Sequence, residues 1–156
     1  MKAKLALKKI VVIGPESTGK STLCGYLADY YNTLWCPEFA REYLLENGTA
    51  YTIDDLITIT KGQLDAVQKY TRALQSQIDL TEIVKPLIVD TDMYVMKVWA
   101  EYVFGTCPTF ILDEINKQDY DLYLLCKPDI PWVKDELREY PDEKPRDRKS
   151  TRLNSS

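Results

Sequence analysis

The chain has 156 residues, 45% of them hydrophobic and 11% aromatic, a composition that predicts one globular domain with a single packed core. Its 24 acidic and 20 basic residues give a formal net charge of -4, and without a long run of Lys and Arg this argues against nucleic acid as the main partner. Four scattered cysteines without C-x-x-C spacing and the lack of any histidine predict reduced thiols, and they exclude mixed zinc sites and Ser-His or Cys-His nucleophile pairs.

The N-terminal segment MKAKLALKK carries basic residues but no apolar run of signal-peptide length. No stretch of the sequence approaches the roughly 20 consecutive apolar residues of a membrane span. We therefore expect a cytoplasmic protein with no membrane partner. No feature of the sequence predicts the oligomeric state.

A short β-branched run, Ile10 to Ile13, predicts a strand buried on both faces. It leads directly into the segment Gly14 to Ser21, GPESTGKS, which satisfies the pattern G-x-x-x-x-G-K-[ST]. A helix is predicted to follow from Ser21 to Tyr31. This order of strand, loop and helix favours a phosphate-binding P-loop over a Gly-rich turn without a ligand.

The residue types in this loop suit a polyphosphate ligand. Gly14 and Gly19 allow tight turns and close backbone approach, so that successive N–H groups face the phosphates, and the following helix adds the positive end of its dipole. Lys20 is predicted to reach the β- and γ-phosphates and Ser21 to ligate magnesium. We predict that ATP with Mg²⁺ is bound by Gly14, Glu16, Ser17, Thr18, Gly19, Lys20, Ser21 and Thr22.

The next predicted elements are a short strand at Leu34 to Cys36 and a helix that Pro37 and Glu38 open and Gly48 ends. Glu38 directly follows the strand, on the side where open α/β sheets bind ligands. A carboxylate in that place suits magnesium binding or proton transfer from an attacking hydroxyl. The alternative is that it only complements the helix dipole.

Thr52 is predicted to cap a long third helix, with Asp55 in an acidic variant of the capping box. Apolar residues at helical spacing predict one buried stripe along this helix. Gln63 and Gln68 are assigned to its polar face. The stripe consists of Ile53, Ile57, Leu64, Val67, Leu74 and Ile78.

A third buried strand is predicted at Leu87 to Val89, and it ends in Asp90, Thr91 and Asp92. Because the carboxyl ends of parallel strands meet at one edge, the two aspartates are candidates for the same roles as Glu38. The remaining predicted elements are a helix at Met93 to Phe104, a short helix near Ile111 to Asn116, a strand at Leu122 to Cys126 and a helix at Val133 to Tyr140.

Strands that alternate with helices predict an α/β fold, a three-layer α/β/α P-loop NTPase with a mostly parallel sheet. The last ten residues, DRKSTRLNSS, lack hydrophobic periodicity and match an in-frame translation of a common sequencing-library adapter. We therefore expect a P-loop kinase-like domain over residues 1–146, incomplete at its C-terminus, and a non-native tail over residues 147–156. The alternative is a natural disordered tail.

Four ordered blocks resemble one family: IGPESTGKSTL, CPEFAREYL, IVDTDMYVMKVW and YDLYLLCKPDIPWVKDELRE. Together they are similar to the ribosylnicotinamide kinase domain of NadR-type proteins and to related AAA-like P-loop ATPases, from about Lys9 to Glu139. The resemblance implies ATP-dependent phosphoryl transfer to a small nucleoside-like acceptor, with nicotinamide riboside as the leading acceptor. The family continues with a helix and a fifth strand that this sequence lacks, so the last strand of the sheet is expected to be missing.

The resemblance also implies roles for single residues. Lys20 and the P-loop bind ATP, Asp90 and Asp92 supply metal or substrate contacts, and Glu38 occupies the place of a catalytic base. The choice of base between Glu38 and Asp90 stays open. Arg41 and Gln63 are implied substrate contacts, with a solvated arginine and an ordinary polar helix face as the alternatives.

Residues Trp132 to Arg138 resemble a lid, in which Arg138 is implied to stabilise charge on the transferred phosphoryl group. Tyr94 and Trp99 are expected in the core rather than against a substrate ring. Two alternative functions stay open: a regulatory nucleotide-binding ATPase module without kinase activity, and an inactive fragment.

Overall fold

The structure is a computed structural model that describes residues 3–16 and 18–129. Ser17, Arg138 with the lid segment, the helix predicted at Val133 to Tyr140 and the tail over 147–156 lie outside the described residues. The strands are Lys8–Ile13 (β1), Trp35–Cys36 (β2), Pro86–Asp90 (β3) and Leu122–Leu125 (β4). The helices are Lys20–Tyr31 (α1), Phe39–Asn47 (α2), Ile53–Thr81 (α3), Met93–Phe104 (α4) and Thr109–Lys117 (α5).

The strands form one parallel sheet in the order β2-β3-β1-β4, which confirms the predicted α/β fold. Val11 of β1 is level with Val89 of β3 on one side and with Tyr123 of β4 on the other. Because β1 is a central strand with helices over both faces, its β-branched residues Val11 and Val12 are fully buried.

Helices cover both faces of the sheet because successive strand residues point to opposite sides. Val12 and Ile88 pack against Cys24 of α1 on one face. Val11 and Val89 pack against Leu74 of α3 on the other. A further apolar cluster joins α2, α4, α5 and the first half of α3. In the described part of the chain, no helix is both long and apolar enough to cross a bilayer.

The buried face of α3 differs from the predicted stripe. The capping box of Thr52 and Asp55 forms as predicted, but the fully buried residues of the helix are Leu56, Ile59, Thr60, Gln63, Leu74 and Ile78. The placement of Gln63 on the polar face was therefore wrong, whereas Gln68 is exposed. The reason is that the first half of α3 contacts α2, α4 and α5, which moves its buried face onto the side that carries Gln63.

Candidate active site

The backbone between β1 and α1 adopts the conformations for which glycine is suited. Gly14 has a φ of 145° and Gly19 a φ of 81°, in the region that side chains disfavour. A Cβ at Gly14 would also lie 2.7 Å from the carbonyl oxygen of Cys126. The close contact with the end of β4 is a second requirement for glycine at position 14, and the motif alone does not predict it.

Two side chains of the loop are held by one carbonyl. Lys20 Nζ donates to the Pro15 carbonyl at 3.1 Å, and Thr18 Oγ1 donates to the same oxygen at 2.7 Å. Thr18 is buried, Glu16 is half-buried, and Thr22 is exposed on the first turn of α1. Since α1 begins at Lys20, the N–H groups of its first turn face this loop without intrahelical partners.

A hydroxyl and a carboxylate meet where α1 begins and β3 ends. Ser21 Oγ donates to Asp90 Oδ2 at 2.7 Å, and Asp90 is fully buried. Both are hard oxygen ligands, which is the chemistry that Mg²⁺ prefers. Among residues 3–16 and 18–129, no group of three or more His, Cys, Asp or Glu side chains is able to hold a metal alone. Two protein oxygens completed by phosphates and water are typical of Mg²⁺.

Glu38 is brought to the same place from the end of β2. It precedes α2, yet its carboxylate makes no capping hydrogen bond to that helix. Burial raises the pKa of the Glu38 carboxyl, and the charge of Asp90 adds to the rise. The charges of Lys20 and Arg41 and a hydrogen bond with Thr91 oppose it. The structure therefore groups Lys20, Glu38 and Asp90, as the strand-end positions predicted.

Thr91 is a site residue to which the sequence analysis assigned no role. It is fully buried with a φ of 81°, a conformation that is an outlier for a β-branched residue and costs on the order of 1–3 kcal/mol. Its N–H donates to the Val12 carbonyl at 3.0 Å and its Oγ1 to Asp90 Oδ1 at 3.3 Å. Its hydroxyl thus lies between the two carboxylates of Glu38 and Asp90, at the middle of the sequence block DTD.

Asp92 performs a local structural task. It is almost fully buried and caps α4, where Val95 N–H donates to Oδ1 at 3.1 Å and Gln118 Nε2 donates to Oδ2 at 3.1 Å. Burial raises the pKa of Asp92 to about 6, and these hydrogen bonds oppose the rise. Both carboxylate oxygens of Asp92 thus accept hydrogen bonds from within the protein. The predicted contact of Asp92 with substrate stays a prediction. Gln118, which the sequence analysis did not single out, holds the second oxygen.

Gln63 is buried with its amide engaged at both ends. Its Oε1 accepts the Phe39 N–H at 2.9 Å, and its Nε2 donates to the Asp90 carbonyl at 3.3 Å. A nucleoside contact would have to use the remaining amide proton or the second lone pair of Oε1. Arg41 is exposed on the first turn of α2, and its substrate contact also stays a prediction.

Trp99 packs against the core as expected, whereas Tyr94 is half-buried and contacts an exposed residue of β4. Trp99 Nε1 donates to the Tyr51 hydroxyl at 2.9 Å, and the two rings meet edge to face with centroids 5.1 Å apart. Tyr94 meets Tyr123 at a centroid distance of 6.2 Å. Both contacts are of the edge-to-face kind that stabilises aromatic cores.

Comparison with known proteins decides the family. A family model described as an AAA domain matches residues 9–155. The chain belongs to this AAA domain family. Within the family it is 28% identical over 139 residues to the trifunctional NAD biosynthesis/regulator proteins NadR of Salmonella typhimurium and of Escherichia coli. The resemblance to NadR-type proteins is confirmed. These matches cover 85% of the chain and 31% of each relative, so the chain spans about a third of their length.

Solved structures of NadR proteins are also similar to this chain. A NadR protein in complex with NR aligns with a TM-score of 0.76 at 25% identity, covering 96% of this AAA-domain chain and 42% of that one. A NadR complex with NAD and AMP-PNP aligns with a TM-score of 0.75 at 25% identity, and the alignment covers 96% of this chain and 40% of that one. Thymidylate kinase from Ehrlichia chaffeensis aligns with a TM-score of 0.58 at 16% identity, and the alignment covers 78% of this chain and 72% of that one. This similarity shows a shared fold.

Proposed function

We propose that this chain is the phosphoryl-transfer domain of an ATP-dependent kinase whose acceptor is a small nucleoside, with nicotinamide riboside first. The observation that carries the proposal is the meeting of Ser21 with buried Asp90 beside Lys20 and Glu38. The NadR structures support it, since one is a complex with NR, the abbreviation of nicotinamide riboside, and another with the ATP analogue AMP-PNP.

In this proposal the P-loop and its cation prepare ATP for attack. The N–H groups between Gly14 and Ser21 and the charge of Lys20 hold the phosphates. Mg²⁺, held by Ser21 and Asp90, would neutralise charge on the phosphate oxygens. Arg138 is proposed to add charge stabilisation, and it lies outside the described residues. These donors favour the transition state because the transferred group carries its charge on oxygens that face them.

Glu38 is the favoured base. Both oxygens of Asp90 accept hydrogen bonds, from Ser21 and from Thr91, whereas the Glu38 carboxylate shares the Thr91 hydroxyl with Asp90 and makes no capping bond to its own helix. Its raised pKa makes it a better proton acceptor. The acceptor hydroxyl oxygen bonds to the γ-phosphorus, the bond to the β-γ bridging oxygen breaks, ADP leaves, and the hydroxyl proton passes to Glu38.

The test is a transfer assay with ATP, MgCl₂ and a panel of nicotinamide riboside, thymidine and adenosine, with the phosphorylated product identified by mass spectrometry. We expect nicotinamide riboside to be phosphorylated fastest. Lys20→Ala should abolish ATP binding in isothermal titration because a charge-assisted contact to the phosphates is lost, whereas Lys69→Ala, an exposed lysine on α3, should not.

The possible outcomes separate the alternatives. ATP binding and slow hydrolysis without a phosphorylated nucleoside would replace the kinase proposal by a regulatory ATPase module. Wild-type ATP affinity in Lys20→Ala would show that the P-loop assignment itself is wrong.

A further inference from the structure

Gln63 connects the ends of two strands that carry the proposed catalytic carboxylates. It lies in the middle of α3 and is fully buried. Its Oε1 takes the N–H of Phe39, the residue after Glu38, and its Nε2 holds the carbonyl of Asp90. A buried amide with partners at both ends avoids the penalty of about 1–3 kcal/mol for an unsatisfied polar group.

The contact with Phe39 satisfies an N–H that the start of a helix leaves without an intrahelical partner. The residue before a helix commonly accepts the N–H of the second or third helical residue, but the Glu38 carboxylate makes no such bond in α2. The first N–H, that of Phe39, is taken by Gln63 from 24 positions away in the sequence, which ties the start of α2 to α3.

The contact with Asp90 lies beside the strained residue of the site. The Asp90 carbonyl that Gln63 holds is followed by Thr91, whose φ is 81°. The residue before Gln63 is Gly62, where an added Cβ would lie 2.1 Å from the Phe39 ring. Glycine at position 62 therefore lets α2 approach α3 closely enough for the Gln63 bond to form.

We propose that Gln63 is a positioning residue that ties the start of α2 to the end of β3 and so keeps the Glu38 carboxylate turned towards Lys20 and Asp90. The inference rests on the proposed function for its catalytic consequence. Its structural content, which is where the Glu38 carboxylate points, does not depend on any activity.

The kinetic test uses Gln63→Met, which keeps the length of the side chain but removes both hydrogen bonds. We expect kcat to fall by about tenfold to a hundredfold, as for a misplaced catalytic group, with KM for ATP nearly unchanged because the P-loop is intact. In a Glu38→Gln background the same substitution should lower kcat by less than about twofold, because residues that act as a unit are not additive. Gln68→Met, an exposed glutamine of the same helix, is the matched control.

Equal losses of kcat in both backgrounds would overturn the inference, since they would show a general structural role. If the wild-type chain transfers phosphate to no nucleoside, the proposed function fails, and a structural readout decides the inference alone.

That readout is the crystal structure of Gln63→Met. We expect the start of α2 to separate from the end of β3 and the Glu38 carboxylate to move away from Lys20. A second variant, Gln63→Asn, keeps a neutral amide but is one methylene too short to reach both partners; it should give the same displacement, and it serves if the Met variant does not fold. A Glu38 carboxylate that is unmoved in the variant that folds would overturn the inference.

Discussion

At the scale of single residues, the behaviour of Glu38 follows from the charges that surround it. Burial and the carboxylate of Asp90 disfavour its ionised form, while Lys20 and Arg41 favour it. The net result is a raised pKa, in a residue that directly follows a strand end. A carboxylate with this balance is suited to accept a proton while the neighbouring lysine holds phosphate.

We expect Glu38→Gln to lower kcat roughly 10²- to 10⁴-fold, the usual contribution of a general base, with a much smaller change in KM because the neutral isostere preserves shape. Steady-state kinetics with ATP and the preferred nucleoside measure this. Glu46→Gln, an exposed glutamate on the same helix, should match the wild type. A change confined to KM would give Glu38 a ground-state binding role and transfer the base to Asp90 or Asp92.

At the scale of helices, two interior glycines have opposite surroundings. Gly25 lies in α1, where an added Cβ would meet only Trp35 Cζ3 at 3.6 Å, an ordinary contact. Gly62 lies in α3, where an added Cβ would lie 2.1 Å from Cε1 of Phe39. Helix propensity alone favours Ala over Gly at both positions by about 1 kcal/mol.

We expect the two Gly-to-Ala variants to change stability in opposite directions. Gly25→Ala should raise the free energy of unfolding by about 0.5–1 kcal/mol, through propensity and lower entropy of the unfolded chain. Gly62→Ala should lower it by about 1–3 kcal/mol because the Phe39 ring must move within a packed cluster. Urea denaturation measures both. If Gly62→Ala were as stable as Gly25→Ala, the close contact between α2 and α3 would be wrong.

The start of α3 gives stability that depends on pH. The Tyr43 hydroxyl donates to Asp55 Oδ1 at 2.6 Å and the Thr52 N–H to Oδ2 at 2.8 Å. These bonds, the Tyr43 bond first, lower the pKa of Asp55 below its ordinary value of 3.8. A lowered pKa means that the stabilisation is present above pH 3.8 and is lost as the pH falls through the lower value of the folded state.

Asp55→Asn should therefore lower Tm at neutral pH, and the difference from the wild type should shrink as the pH falls below 3.8. Thermal melts followed by circular dichroism between pH 2.5 and 7 measure it. Asp54→Asn is the matched control, since this exposed residue in the same turn shares the helix-dipole interaction. A Tm difference that is the same at every pH would mean that the ionised form of Asp55 contributes nothing.

At the scale of the whole molecule, β4 is the outer strand on one side of the described sheet. It pairs with β1, and Leu122 and Tyr123 are 48% and 39% exposed. The run LYLLC is apolar and uncharged, a composition typical of a strand that is covered. Exposed apolar strand edges pair with other chains.

We expect the 156-residue chain to associate with increasing concentration, and a chain extended at the C-terminus by a family-like helix and strand to be monodisperse with a higher Tm. Leu122→Lys should reduce association without any extension, because a charge on the edge strand opposes strand pairing. Size-exclusion chromatography and thermal melts compare the three proteins. A monomeric, cooperatively melting 156-residue chain would show that β4 needs no cover.

Local patterns in the sequence determined the framework of the site. The P-loop, the βαβ alternation, the capping box of α3 and the start of α4 after Asp92 are set by residues within a few positions of one another, where spacing and composition are informative. Because parallel strands bring their carboxyl ends to one edge, the meeting of Lys20, Glu38 and Asp90 was also predictable.

Tertiary structure alone decided how those carboxylates are held. Gln63 is a polar residue, yet it is buried. Its hydrogen-bond partners Phe39 and Asp90 are 24 and 27 positions away in the sequence. The left-handed backbone of Thr91 and the bond from Gln118 to Asp92 likewise depend on strands and helices that arrive from distant parts of the chain. Periodicity shows which apolar residues share one face of a helix or strand. A buried polar side chain is stable only where distant segments supply its hydrogen bonds, and no local sequence pattern shows whether they do.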